Sequence, residues 1–123
     1  RANWQYTHMI SPLLLTNLEE LAEINNENKP RTNGVLLFKH SPRCIISKMA
    51  LRELMKEWHY PMDELEIFLV DVINQRQLSK QIADIYGVRH ESPQLLYIKE
   101  NVCAGNASHG SVSMQTVKSW LHG

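Results

Sequence analysis

The chain of 123 residues predicts an α/β fold, a mixed four-stranded sheet flanked by helices. Three observations carry that expectation. Short apolar runs at Val35 to Lys39, Leu65 to Val70 and Leu95 to Ile98 have the length of buried strands. Longer stretches with helical spacing separate them, and alternating strands and helices call for parallel pairing through a right-handed crossover. After the third run, a turn at Glu100-Asn101 leads to a further strand from Val102, so the sheet closes on an antiparallel hairpin.

Each element has a local reason. Thr16-Asn17-Leu18-Glu19 has the form of a capping box, with Leu18, Leu21 and Ile24 at helical spacing behind it. The polar run Asn25 to Gly34 reads as a loop. A helix from about Pro42 to Trp58 follows the first strand, with Ile46, Met49, Ala50, Leu54, Met55 and Trp58 as its inward positions. Proline is well tolerated in a first helical turn. Asn74 to Gln77 repeats the cap pattern before Leu78, Ile82, Ile85 and Tyr86, and Gly87 closes that helix. Ser113 caps a last helix packed through Val117, Trp120 and Leu121. Trp4 to Ile10 reads as a strand or a leader, and the expectation is one domain over 1–123 with 1–12 as a flexible leader. The order βαβ, then α, ββ, α, is that of the thioredoxin fold.

Composition excludes several classes. Hydrophobic residues make up 43% of the chain, enough for a core, and the formal net charge is zero. Nothing in that balance points to a nucleic-acid or membrane partner. No apolar run approaches the ~20 residues of a membrane-crossing helix. Two cysteines in a chain of this length are not a disulfide framework. The expected compartment is the reducing cytoplasm, where an isolated cysteine is catalytic or structural.

Cys44 is the residue with chemistry in its surroundings. It follows the strand and the Ser41-Pro42 turn and opens a helix. Unpaired backbone N–H groups and the helix dipole favour negative charge at that position, and the thiolate is the reactive form of cysteine. Ser47 stands where a dithiol enzyme carries its second cysteine, so the motif is Cys-x-x-Ser. Cys103 falls just past the hairpin turn, about five residues at ~3.3 Å each, or ~15 Å, from the active end. A disulfide needs Cα atoms within about 7 Å, so Cys103 reads as a structural or surface thiol.

The segment Val35-Leu36-Leu37-Phe38-Lys39-His40-Ser41-Pro42-Arg43-Cys44-Ile45-Ile46-Ser47 resembles the active-site segment of thioredoxins and glutaredoxins. Tyr86-Gly87-Val88-Arg89-His90-Glu91-Ser92-Pro93-Gln94 resembles the approach to their cis-proline loop. Together with Asn106-Ala107-Ser108-His109-Gly110, these segments are most similar to the monothiol bacilliredoxins, over roughly residues 13 to 122. The resemblance implies a thiol–disulfide oxidoreductase in which Cys44 removes bacillithiol from mixed disulfides on client proteins. Bacillithiol is then a co-substrate, with no tightly bound cofactor and no metal, and bacillithiol or another external thiol resolves the adduct. Lys39, His40, Arg43, Ser47, Ser92 and Pro93 are the implied substrate-binding residues. His40, His90 and His109 are expected on loops at the active end, and as a group with Lys39, Arg43 and Arg89 they would make the site electropositive, which stabilises a thiolate and attracts an anionic thiol. A cis Pro93 opposite the cysteine would let the preceding backbone pair with a substrate strand.

The chain departs from the family in having Ile45, rather than proline, after the cysteine. Phe38 stands where thioredoxins carry a buried aspartate that serves the resolving thiol; with Ser47 in place of that thiol, such an aspartate has no task. Two alternatives come from other classes. One is an iron–sulfur cluster carrier of the monothiol glutaredoxin type, although those proteins have Gly and Phe where this chain has Ile45 and Ile46. The other is a redox-inactive adaptor on the same fold.

Overall fold

The computed structural model describes residues 12–26 and 33–122. Strands β1 (Leu13–Leu14), β2 (Val35–His40), β3 (Glu66–Asp71), β4 (Gln94–Lys99) and β5 (Val102–Ser108) form one sheet in the order β1-β3-β2-β4-β5. The first three are parallel; β4 runs antiparallel to β2, and β5 antiparallel to β4. The sheet thus has five strands rather than the expected four. The extra strand, β1, is two residues long and both its side chains are half exposed, so it carries no periodic signal. The segment 4–10 lies outside the described residues.

Helices α1 (Leu18–Asn26) and α3 (Arg76–Tyr86) cover one face of the sheet, and α2 (Ile45–Lys56) and α4 (Met114–His122) cover the other. Successive strand residues point to opposite faces. Leu36, Phe38, Ile67, Leu95 and Tyr97 therefore pack under α2 and α4, while Val35, Leu37, Phe68, Leu96 and Ile98 pack under α1 and α3. All six residues of β2, the central strand, are buried.

The helix ends differ from the expected ones in instructive ways. Asn17, not Thr16, caps α1: its Oδ1 accepts the Glu20 N–H at 2.9 Å, and the Glu20 carboxylate accepts the Thr16 N–H at 2.7 Å. The Asn17–Glu20 bond is the forward half of a capping box set one residue later, whereas the return bond reaches Thr16, one residue before the cap. Its helix runs on to Asn26, into the stretch expected to be loop. At α3 the Asn74 cap is absent. The Asp71 carboxylate instead accepts the Ile73 and Asn74 N–H groups at 2.9 Å each, and the Asn74 side-chain amide at 2.9 Å, so the turn is built from β3. Gly87, in the left-handed conformation, ends α3, as the sequence implies. The Ser113 Oγ accepts the Thr116 N–H at 3.2 Å at the start of α4.

The α2 helix starts at Ile45, with Pro42 in the preceding turn. Its inward stripe is Ser47, Ala50, Leu51, Leu54 and Met55, followed by Trp58. Ile46 and Met49, expected inside, are 58% and 56% exposed. They share a helical face with Glu53 and Lys56, which pair across that exposed face at 3.9 Å. Ile85 of α3 is likewise turned to solvent.

Candidate active site

The C-terminal ends of β2 and β3, the start of β4 and the end of β5 meet at one end of the sheet. Lys39 pairs with Gln94, Gln94 with Ser108, and His40 with Asp71. The loops leaving these strands carry Cys44, Pro93 and His109. The turn from β2 is short: the Cys44 N–H donates to the Ser41 carbonyl at 3.0 Å, and the Cys44 carbonyl accepts the Lys48 N–H at 3.0 Å. Cys44 is the N-cap residue of α2, in extended conformation, partly exposed, and the helix start has no side-chain cap. The sulfur therefore occupies the position at which helices place an anionic or acceptor group. Arg43 is exposed beside it.

Behind the turn, Ser47 is fully buried. Its Oγ accepts the Ser41 N–H at 3.0 Å and lies 2.7 Å from His40 Nδ1. His40 is also buried. Burial lowers the affinity of its imidazole for a proton, opposed by the Asp71 carboxylate and assisted by Lys48. Burial by itself would raise the Asp71 carboxyl. The hydrogen bonds from Asn74 and Ile73, with His40 nearby, outweigh it and hold Asp71 below the usual carboxylate range.

Lys39, one residue earlier, points to the opposite face of the sheet and is fully buried. Its Nζ donates to the Ser79 carbonyl at 2.8 Å and to His90 Nδ1 at 3.2 Å. Burial pushes the ammonium down to about 8. Desolvation and the Lys39 charge also lower His90, against Glu91, and leave a bare Nδ1 suited to accept from Lys39 and from the Ser79 hydroxyl at 3.1 Å. Of the expected substrate contacts, then, Lys39, His40 and Ser47 are turned inward to partners within the chain. A surface role for these three does not fit the geometry: β2 is covered on both faces to its last residue, and Ser47 faces inward from the first turn of α2.

Of the other three, Arg43 is exposed, Ser92 is half-buried and Pro93 is buried in the loop before β4. The Ser92–Pro93 peptide bond is cis. The Pro93 carbonyl accepts the His109 N–H at 2.9 Å, which ties the loop before β4 to the end of β5. Ser92 Oγ is buried and has no hydrogen-bond partner. His109 is exposed, adopts a positive φ of 53°, and its Nε2 lies 3.9 Å from the Glu91 carboxylate. The short 3-10 turn it opens, His109–Ser111, packs against α2. Sequence reasoning gave no role to Asp71, Ser79 or Gln94, although all three organise this end. The one available signal was Asp71-x-x-Asn74, the pattern of a side chain capturing the backbone after it.

Cys103 sits elsewhere. It pairs with Ile98 near the hairpin turn, where Glu100 and Asn101 both have positive φ, as a two-residue type I′ turn requires. Its side chain packs in the α1/α3 layer, whereas Cys44 leads the helix on the other face. The thiol donates to the Gly105 carbonyl at 3.1 Å, and burial holds it above the ordinary cysteine value. Among the described residues, no cluster of His, Cys, Asp and Glu is placed to hold a metal ion, and no helix is long and apolar enough to cross a membrane.

Residues 13–117 match the family model of the monothiol bacilliredoxin BrxC. Among solved structures, the chain is similar to a thioredoxin-fold protein proposed to be an oxidoreductase, with a TM-score of 0.76, 25% identity and 98% of each chain covered. It is also similar in fold to a thioredoxin of Malassezia sympodialis, with a TM-score of 0.69, 15% identity and 90% of each chain covered. The mitochondrial thioredoxin 3 of Saccharomyces cerevisiae gives a TM-score of 0.67 at 16% identity, with 94% of this chain and 96% of that one covered.

Proposed function

This chain belongs to the monothiol bacilliredoxin family, and we propose that it removes bacillithiol from mixed disulfides on client proteins. The observation that supports this reading most is the isolation of Cys44. It is a partly exposed thiol at a helix start, its third neighbour along the helix is a buried serine, and the other cysteine lies on the opposite face of the sheet.

In the proposed reaction, the Cys44 thiolate attacks the bacillithiol sulfur of the mixed disulfide. A Cys44–bacillithiol disulfide forms and the client's disulfide bond breaks. The client sulfur leaves as a thiolate and takes its proton from water. One disulfide has replaced another, so the step needs no outside electrons. A second thiol, bacillithiol or another, then attacks the adduct and releases Cys44. We assign the exposed Arg43 to attraction of the anionic co-substrate, and Ser92, beside Pro93, to the docking of the client segment. The setting in this reading is the reducing cytoplasm.

Mass spectrometry after treatment with bacillithiol disulfide tests the proposal. One adduct is expected, lost in Cys44→Ser and kept in Cys103→Ser. An intramolecular Cys44–Cys103 bridge, or no adduct with Cys44 intact, would refute it. An absorption band in the visible after anaerobic purification would favour the cluster carrier instead.

A further inference from the structure

One oxygen atom joins three parts of the active-site segment. Ser47 Oγ, on the first turn of α2, accepts the Ser41 N–H at 3.0 Å and meets His40 Nδ1, at the end of β2, at 2.7 Å. Ser41 is engaged on both sides, because its carbonyl accepts the Cys44 N–H at 3.0 Å. A continuous chain of hydrogen bonds therefore runs from His40 through Ser47 and Ser41 to the amide of the nucleophile itself.

The donor and acceptor count fixes the direction of that chain. A serine hydroxyl has one proton to give and two lone pairs. The Ser41 N–H uses one lone pair. Burial favours the neutral imidazole at His40, which has one bare nitrogen. Donation from Ser47 to a bare Nδ1 uses the hydroxyl proton and leaves the imidazole proton on Nε2. The reverse arrangement would leave a buried hydroxyl proton without a partner at this junction, a costly outcome.

We propose that His40 and Ser47 are positioning residues, forming a clamp that sets the Cys44 turn for disulfide exchange. The serine of Cys-x-x-Ser is then present for its hydroxyl, and is more than the absence of a second thiol. This rests on the thiol-exchange reading above for its benefit, but not for its geometry. Disulfide exchange needs three sulfur atoms nearly in line, so it is sensitive to the direction of the Cys44 side chain. Alkylation by a small reagent can approach from many directions and is less so.

The test compares wild type with Ser47→Ala, His40→Ala and His40→Gln, the last keeping an acceptor for the Ser47 hydroxyl. Amide hydrogen exchange at Ser41 reads the clamp directly. It should quicken about tenfold in Ser47→Ala, the scale of one buried hydrogen bond. Exchange of Cys44 with dithionitrobenzoate should slow roughly tenfold in the same variant, while alkylation by iodoacetamide stays within about twofold. His40→Gln should recover most of what His40→Ala loses. Unchanged Ser41 protection in Ser47→Ala would overturn the proposal, as would equal loss in the two thiol assays. So would a folded His40→Gln no better than a folded His40→Ala; if His40→Ala does not fold, the Ser47→Ala comparison decides alone. Should wild type fail to take bacillithiol from a client while these responses hold, the functional proposal falls and the clamp stands.

Discussion

Lys39 shows how a single residue can be chemically loud in the sequence and structurally silent at the surface. Fully buried, it is driven from the ordinary lysine value of 10.5 to about 8 by desolvation. Between those two values the unfolded chain binds more protons than the folded one, so stability rises with pH across that window. Below about 8 both states hold the proton and the full penalty applies, on the order of 3 kcal/mol. Urea unfolding of wild type and Lys39→Met on either side of about pH 8 should therefore show wild type gaining on the variant in alkali. Parallel pH profiles would mean that Lys39 is not held in this way. His40 shifts in the same direction, in a more acidic window. Its lowered proton affinity makes the unfolded state the better proton acceptor below the ordinary histidine value of 6.5, so its contribution is lost as the solution is acidified. The sequence marked both residues as belonging to this end of the fold. It did not show that they point inward to opposite faces: the expected strand ended at Lys39 and left His40 to the loop, and a charged residue closing an apolar run carries no mark of burial.

At the level of elements, β5 and α4 meet through a glycine. A Cβ at Gly105 would stand 2.6 Å from the Trp120 indole nitrogen, and Trp120 in turn stacks on Tyr97 at 5.8 Å with planes 3° apart. Gly105→Ala should cost about 1–3 kcal/mol, the usual range for overpacking, and disturb the near-ultraviolet dichroism of the stack. A variant as stable as wild type would show that the indole can move aside freely. Asn17→Ala, by removal of the α1 cap, should cost about 1 kcal/mol in thermal or chemical unfolding, whereas Thr16→Ala should cost less. Element type was well marked in the sequence: the apolar runs became strands, the helical stretches became helices, and Gly87 ended α3. Element faces were less well marked. The inward stripe of α2 begins at Ser47, a polar residue, so an apolar count rotated the helix toward Ile46 and Met49. The contact of Gly105 with Trp120 joins positions that no local pattern relates.

For the whole molecule, the sheet is a wall between its two thiols. Cys44 stands at the loop end on the α2 side, and Cys103 lies near the hairpin turn in the α1/α3 layer. In a dithiol protein the second sulfur is tethered nearby at an effective concentration far above that of any free thiol, so release of the first is unimolecular. Here that route is closed by architecture, and discharge of an adduct on Cys44 has to be second order. Its rate should rise linearly with external thiol, without a plateau set by the protein, and Cys103→Ser should leave the slope unchanged. Stopped-flow measurement of adduct loss against thiol concentration checks this, and a zero-thiol intercept well above solvent hydrolysis would contradict it. In the reaction proposed above, the lifetime of the capped protein would therefore be written by its surroundings: plentiful thiol would clear it quickly, and in a depleted pool the cap would persist.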